Sequence, residues 1–491
     1  MTTISSLFKI LSCRDHVEYY VLVVIVISSA LWYFWLYAKS KPQSPPLPPG
    51  PWGLPIVGNL PFLKPELHTY FQGLAEKHGP VFKLWFGSKL AIVVTSSEVA
   101  REILRTNDVI FANHDVPAVA LASSYGGIDI PWSPYGPRLR MLRKLCINRI
   151  LSNARMEKSV DLRRGETRRT VRCCGGATVQ NEDRELVGAE FSGLVQEMND
   201  LLLVPNLSDF FPVLSRFDLQ GLAKRMGGLA ERMDRLFDRV INQRLGMGKG
   251  SEGKGEDFLE VLLKIKDEND EKTNLNMNDV KALLMDMVLG GTDTSVHVIE
   301  FAMAEILNNP EIMKRAQQEL DEVVGKDKIV EESHIPELPY ILAIMKETLR
   351  LHTVAPLLNP HRPSQTTAVS GFTIPKDSKI FINVWAIHRN PDVWENPLEF
   401  DPSRFLDQSY DFNGNDFNYI PFGSGRRICV GMAMGERVVL YNIATLLHSF
   451  DWKLPQGERV EVEEKSGITL KLKNPLVTTP ALRLADPNLY L

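Results

Sequence analysis

Five cysteines in 491 residues, two of them adjacent at Cys173-Cys174, are too few and too close to build the disulfide framework of a secreted scaffold. The body of the chain suits a reducing compartment instead. Charge of one sign is also lacking: 56 basic and 60 acidic residues leave a net charge of −4, which removes any global electrostatic reason to bind nucleic acid. No internal repeat is present, which excludes solenoid and propeller architectures. A dinucleotide-binding glycine loop is lacking in any valid context. The formal G-x-G-x-x-G at Gly248, Gly250 and Gly253 sits in the polar run Gly246 to Gly255, behind the helix-like Leu236 to Leu245, whereas that motif works only between a strand and a helix. Long apolar runs are scarce, with one exception. Tyr19 to Ala38 is an uncharged stretch of 20 residues, long enough to span a bilayer, with Trp32, Tyr33, Trp35 and Tyr37 gathered near one end. No small-residue cleavage site follows it, so it reads as an anchor rather than a signal peptide. Lys9 and Arg14 on one side balance Lys39 and Lys41 on the other, so flanking charge leaves its orientation open.

Behind that stretch, Pro42, Pro45, Pro46, Pro48, Pro49, Pro51 and Pro55 favour a stiff, extended connector. Val81 to Phe86 and Leu90 to Val94 alternate as paired strands about Gly87-Ser88, and a second short strand region is expected around Gly371 to Ile374 and Lys379 to Val384. From Ser96 onward helical spacing dominates, notably over Val280–Leu307, Pro310–Val324, Tyr340–Leu351 and Val438–Leu447. The expected fold class is therefore mainly α with a small β-rich region.

Chemistry concentrates at Pro421-Phe422-Gly423-Ser424-Gly425-Arg426-Arg427-Ile428-Cys429-Val430-Gly431. Gly425 and Gly431 let the backbone wrap closely about the Cys429 sulfur. Arg426, Arg427 and the start of the helix-like Met432 to Arg437 add positive charge, so an electron-rich thiolate suited to a metal is the expected product. An inert buried cysteine in a glycine-rich turn is the plain alternative.

A second constellation lies in the long helix expected from Asp279 to Asn309, with Asn278 as its N-cap and Pro310 closing it. Gly290-Gly291-Thr292-Asp293-Thr294-Ser295 interrupts its apolar run and should kink it. A carboxylate beside a hydroxyl in such a place, Asp293 with Thr294, can relay protons. A third element, Glu347 with Arg350 at i and i+3, is weak alone and gains weight from Arg404 downstream.

The cysteine loop resembles the haem-binding signature Phe-x-x-Gly-x-Arg-x-Cys-x-Gly of the cytochromes P450, with Phe422, Gly425, Arg427, Cys429 and Gly431 matching. Gly290 to Thr294 resembles that family's oxygen-binding Gly-Gly-x-Asp-Thr. Glu347, Arg350 and Pro402 to Phe405 resemble its Glu-x-x-Arg and Pro-x-Arg-Phe elements. The resemblance, nearest to plant microsomal members, implies the cytochrome P450 fold behind an N-terminal transmembrane helix. It implies a haem b whose iron is bound by Cys429, with Arg427, His361 and Arg143 toward the haem carboxylates, and Phe422 packed beside the sulfur. Asp293 and Thr294 become the catalytic pair, and Glu347, Arg350 and Arg404 a buried structural triad.

The organisation so implied is a tail over 1–18, an anchor over 19–38, a hinge over 39–59 and a haem-thiolate catalytic domain over 60–491. The implied activity is insertion of one atom of O2 into a small hydrophobic terpenoid or flavonoid. Its electrons come from NADPH through NADPH–cytochrome P450 reductase, docking near Arg140, Arg143, Lys144 and Arg426. The implied location is the endoplasmic reticulum membrane, single-pass, with the body cytosolic. A haem-thiolate isomerase or dehydratase, needing no external electrons, and a catalytically impaired haem-binding membrane protein are the alternatives. Two departures stand out. Leu139 occupies the tryptophan position of a Trp-x-x-x-Arg element ending at Arg143, and the stretch from Arg169 to Gly188 is shorter and less apolar than in the family. The apolar segment Val116 to Gly127 is the expected access region.

Overall fold

The computed structural model describes residues 20–21, 23–34, 45–174, 182–246, 257–268, 273–407, 410–455, 459–467 and 469–490. Residues 20–21 and 23–34 are helical, and Val24, Ile25 and Phe34 are exposed there. No described helix is long and apolar enough to cross a membrane. The tail 1–18, part of the expected anchor and the polar run after Gly246 lie outside the described residues.

The proline-rich segment is described from Pro45 onward and is extended, as its composition dictates. It is tied along the β-rich region: the Pro46 carbonyl accepts from Thr373 N at 2.8 Å and the Pro49 carbonyl from Lys83 N at 2.7 Å. Gly50 is obligatory in this approach, since a Cβ there would fall 2.1 Å from the Lys83 carbonyl oxygen.

Strands β1 (Val81–Phe86) and β2 (Lys89–Val94) form the expected hairpin, with Val81 opposite Val94, around Gly87 at φ +61°. With β3 (Asn113–His114), β4 (His361–Arg362) and β7 (Lys379–Ile382) they make a five-stranded sheet of order β1-β2-β7-β4-β3, in which β2 and β7 run parallel. Smaller pairs are β5 (Thr367–Val369) with β6 (Phe372–Ile374), β8 (Phe450–Lys453) with β11 (Thr479–Leu482), and β9 (Glu464–Lys465) with β10 (Lys471–Leu472). Helix α1 (Leu67–His78) covers the sheet through Phe71, whose ring meets Phe82 of β1 at 6.2 Å and Phe381 of β7 at 5.5 Å.

The principal longer helices are α2 (Pro137–Leu145), α3 (Val160–Cys174), α4 (Glu182–Leu202), α5 (Leu222–Gly246), α6 (Phe258–Glu268), α7 (Met277–Gly291), α8 (Asp293–Asn308), α9 (Pro310–Val323), α10 (Pro339–Leu351) and α11 (Met432–Ser449). One apolar core joins α2, α4, α5, α6 and α7, and a second joins α8, α9, α10 and α11. The long central helix is broken at Thr292, where glycine and polar residues weaken it, into α7 and α8. Its N-cap is Asn276, not Asn278. The extended backbone of Asn276 lets its side chain accept from Asp279 N at 3.0 Å while the Asp279 carboxylate accepts from Asn276 N at 2.9 Å, which leaves Asn278 inside the first turn.

Two buried polar clusters brace the second core. Glu347 and Arg350 are fully buried and doubly bonded at 2.6 and 2.8 Å, Arg404 approaches Glu347 at 3.4 Å, and Arg350 also donates to the carbonyls of His388, Pro397 and Glu399. In the other, His352 bridges Glu305 on α8 at 2.8 Å and Glu464 on β9 at 3.0 Å, and Trp385 Nε1 donates to Glu464 at 2.9 Å. Helix α3 ends at Cys174 and α4 begins at Glu182, and Val171 of α3 joins Phe450, Leu484 and Tyr490 in a small separate cluster.

Candidate functional site

The cysteine loop is built from backbone constraints. Gly425 is at φ +65°, and a Cβ there would lie 2.2 Å from the Leu104 carbonyl oxygen, so only glycine allows this close crossing. Cys429 N donates to the Phe422 carbonyl at 3.0 Å, closing the loop, and the N–H groups of Gly431 and Met432 are directed at the sulfur where α11 begins. Gly431 is open on the sulfur side, 3.8 Å from Sγ at its Cβ position. Phe422 packs edge-on against Phe412 at 5.4 Å.

Cys429 is solvent-accessible, yet protein atoms surround it closely enough that burial dominates its titration; together these describe a concave recess. Burial pushes the thiol up, against the Gly431 and Met432 N–H groups and Arg143. The net direction is upward. A metal cation bound to the sulfur would reverse that balance.

Beside the recess two guanidinium groups lie without a carboxylate partner among the described residues. Arg427 donates to the carbonyls of Ala112, Ile130 at 2.9 Å and Ser133 at 2.5 Å. Arg143 donates to the Ile428 carbonyl at 2.7 Å. Burial, then the neighbouring Arg143, bring Arg427 down to about 10, and burial lowers Arg143 as well. Adjacent cations with no bonded anion form a seat for one. His361 closes the group: its Nδ1 meets the Phe111 carbonyl at 2.8 Å, its ring lies 5.0 Å from that of His114, and burial brings it down to about 4. Leu139, in place of a tryptophan, is completely buried in the first apolar core.

At the helix break, Asp293 opens α8 and accepts from Asn199 Nδ2 of α4 at 2.7 Å. The Thr294 hydroxyl donates to the Gly290 carbonyl at 2.7 Å, which ties the two halves of the helix across the break. Such back-bonding relieves a carbonyl left without its helical donor. Sequence reasoning missed several neighbours. Asn199 and His114 carry no local signal, because their partners are far away in the chain. Asp129 and Asp286 form a buried carboxyl pair, both pushed upward by burial, and Asp286 accepts from Ile130 N at 2.9 Å. The expected access segment contains the short helix Ala118–Ser123. Of the surface cations, Arg140, Lys144 and Arg426 are exposed, and Arg426 pairs with Asp108 at 3.1 Å.

Comparison with known proteins bears on this arrangement. A family model described as Cytochrome P450 matches residues 48–182 and 170–479, in two stretches that meet where α3 passes to α4. Flavonoid 3'-monooxygenase CYP75B137 of Crocosmia x crocosmiiflora is 40% identical over 94% of this chain and 97% of its own length. Geraniol 8-hydroxylase of Swertia mussotii is 37% identical over 94% of this chain and 97% of its own. Among solved structures, a zebra fish cytochrome P450 with progesterone superposes with a TM-score of 0.70 at 24% identity, covering 86% of this chain and all of that one.

Proposed function

The chain belongs to the cytochrome P450 family, and from that premise we propose a monooxygenase that hydroxylates a hydrophobic flavonoid or terpenoid. Membership brings a haem whose iron is ligated by a cysteine thiolate. The residues present fit that group: an accessible sulfur in a glycine-jointed recess, with two anion-seeking guanidiniums at its rim. Cys429 would then bind the iron, and Arg427, Arg143 and His361 would hold the haem carboxylates. Phe422, Gly425 and Gly431 shape the loop about the sulfur. When bound, the haem supplies oxygen activation and transfer to carbon.

The chain's own residues supply position and protons. Thr294 carries a hydroxyl proton that it now shares with the Gly290 carbonyl and can redirect by rotation about χ1. Asp293, steered by the neutral amide of Asn199, can pass protons inward from solvent without first breaking an ion pair. Electrons come from NADPH through NADPH–cytochrome P450 reductase, docking on the face that exposes Arg140, Lys144 and Arg426. We further assign residues 19–38 as a single-pass anchor in the endoplasmic reticulum membrane, 39–59 as the hinge and 60–491 as a cytosolic catalytic domain.

The observation that carries the reading is the joint presence of the Cys429 recess with its unpaired cations and the Asp293–Thr294 break. Incubating membranes containing the chain with reductase, NADPH and a panel of flavonoids and terpenoids tests it. Hydroxylated product that requires NADPH is expected. Turnover without NADPH would assign an isomerase or dehydratase instead, and haem binding with no turnover would reduce the chain to a haem-binding protein.

A further inference from the structure

Residues 129–133 form a tight turn that is gripped from two sides. The Asp129 carboxylate accepts from Trp132 N at 3.0 Å, the Asp129 carbonyl accepts from Ser133 N at 3.2 Å, and the Ser133 hydroxyl donates to the Gly127 carbonyl at 3.0 Å. On one side Arg427 donates to the carbonyls of Ile130 and Ser133. On the other, Ile130 N donates to the Asp286 carboxylate of α7 at 2.9 Å. Ile130 therefore joins the guanidinium beside the cysteine recess to the central helix through its own backbone groups.

Asp286 meets a second carboxyl there. Asp129 is buried, it is the charge set against Asp286, and burial pushes both groups upward. The other groups facing the pair leave that direction unchanged. Arg427 draws Asp129 down by less than burial raises it. Cys146, just past α2 and close to both Asp286 and Arg143, is a neutral thiol that burial pushes up to about 12. His114, whose Nδ1 meets the Pro131 carbonyl at 2.7 Å, is kept neutral by burial.

We propose that Asp129 and Asp286 share one proton and so form a clamp that fastens turn 129–133 to α7 and, through Ile130, sets Arg427 for a haem carboxylate. Asp286 is thereby a positioning residue, acting through Ile130 and Arg427. This rests on the haem reading above and deepens it. With one proton between them the carboxyls attract, because the protonated group donates to the ionised one. With none they repel, and enclosure by protein leaves little water to screen them. Both groups lie above the ordinary carboxyl value of 3.8 while the turn is closed. The clamp is therefore complete below that value and weakens as pH climbs through the raised ones.

The test compares the full-length, haem-loaded chain with Asp286→Asn, whose amide keeps an acceptor for Ile130 N and a donor for Asp129 but has no proton to lose. Haem loss is followed with excess apomyoglobin as acceptor, and the ratio of the wild-type rate to the variant rate should rise about tenfold between about pH 6 and about pH 8. Taking the ratio removes any acid effect on the sulfur, which both proteins share. Asp129→Asn should behave alike, whereas Asp286→Leu, with no acceptor for Ile130 N, should lose haem quickly at both pH values. Amide hydrogen exchange at Ile130 in the haem-free chain reads the clamp directly, and its wild-type to Asp286→Asn ratio should rise with pH in the same way. Ratios that stay constant with pH would overturn the clamp, since a merely structural contact is equally present at both values. If exchange follows the expected course in a chain that takes up no haem, the clamp stands and the haem reading falls.

Discussion

The cysteine loop and the break between α7 and α8 are both glycine-containing interruptions, yet their functional groups are held differently: the sulfur by bonds within a loop that Arg427 and Arg143 fasten to distant elements, the acid by a bond from a distant helix. Within the loop, residues a few positions apart bond one another: Cys429 N to Phe422 O, and Gly431 and Met432 N–H toward the sulfur. At the break the local chain supplies side-chain bonds from Thr292 to the Val288 carbonyl and from Thr294 to the Gly290 carbonyl, and Asp293 is steered by Asn199, 94 residues away. A ligand that must sit at a fixed point suits a short, self-bonded loop. Groups that must admit different substrates and move protons suit a site assembled from separate elements, where each can vary alone.

The contrast can be broken most severely at the loop. Cys429→Ala should abolish both turnover and the thiolate-type carbon monoxide difference spectrum; a surviving spectrum would show that another residue ligates the iron. Glu347→Gln leaves Arg350 buried without its counter-charge and should cost about 3–5 kcal/mol, read as loss of folded, haem-containing protein in denaturant titration. At the break, Thr294→Val should lower product formed per NADPH consumed by on the order of 10²-fold with the carbon monoxide spectrum intact. Asn199→Leu is the sharper probe. It releases Asp293 and should reduce coupling about fivefold, the worth of one hydrogen bond, again without touching the spectrum. A spectral change in either variant would mean that the two regions are not separable.

The smallest effect concerns pH. Burial alone would lower His352, but its bonds to Glu305 and Glu464 prevail and its pKa is raised above the ordinary 6.5. A raised histidine contributes stability that is complete below 6.5 and is lost as pH climbs through the raised value. Thermal stability should therefore decline on the alkaline side of neutrality, and His352→Gln should flatten that decline. An unchanged profile would show that the bridge is neutral.

Much of this was legible in residue order. Strand alternation at Val81–Val94, the helices at Pro310–Val323 and Pro339–Leu351, and the weakened turn near Thr292 all follow from local propensity, and the structure has them. The N-cap shift from Asn278 to Asn276 is a local error, because two asparagines in one turn compete and only the cap's backbone angles decide between them.

The sequence by itself determined the sulfur, its loop and the acid–hydroxyl pair, since each is written within a few consecutive residues whose backbone geometry follows from glycine, proline and helix periodicity. Only the tertiary structure decided that burial outweighs the loop's donors at Cys429, that Arg143 and Arg427 stand together with no carboxylate partner among the described residues, and that Asn199 and Thr469 face Asp293 and His297. The reason is physical: burial and long-range hydrogen bonds are properties of packed neighbours, and neighbours separated by a hundred or more residues leave no periodic mark on the chain.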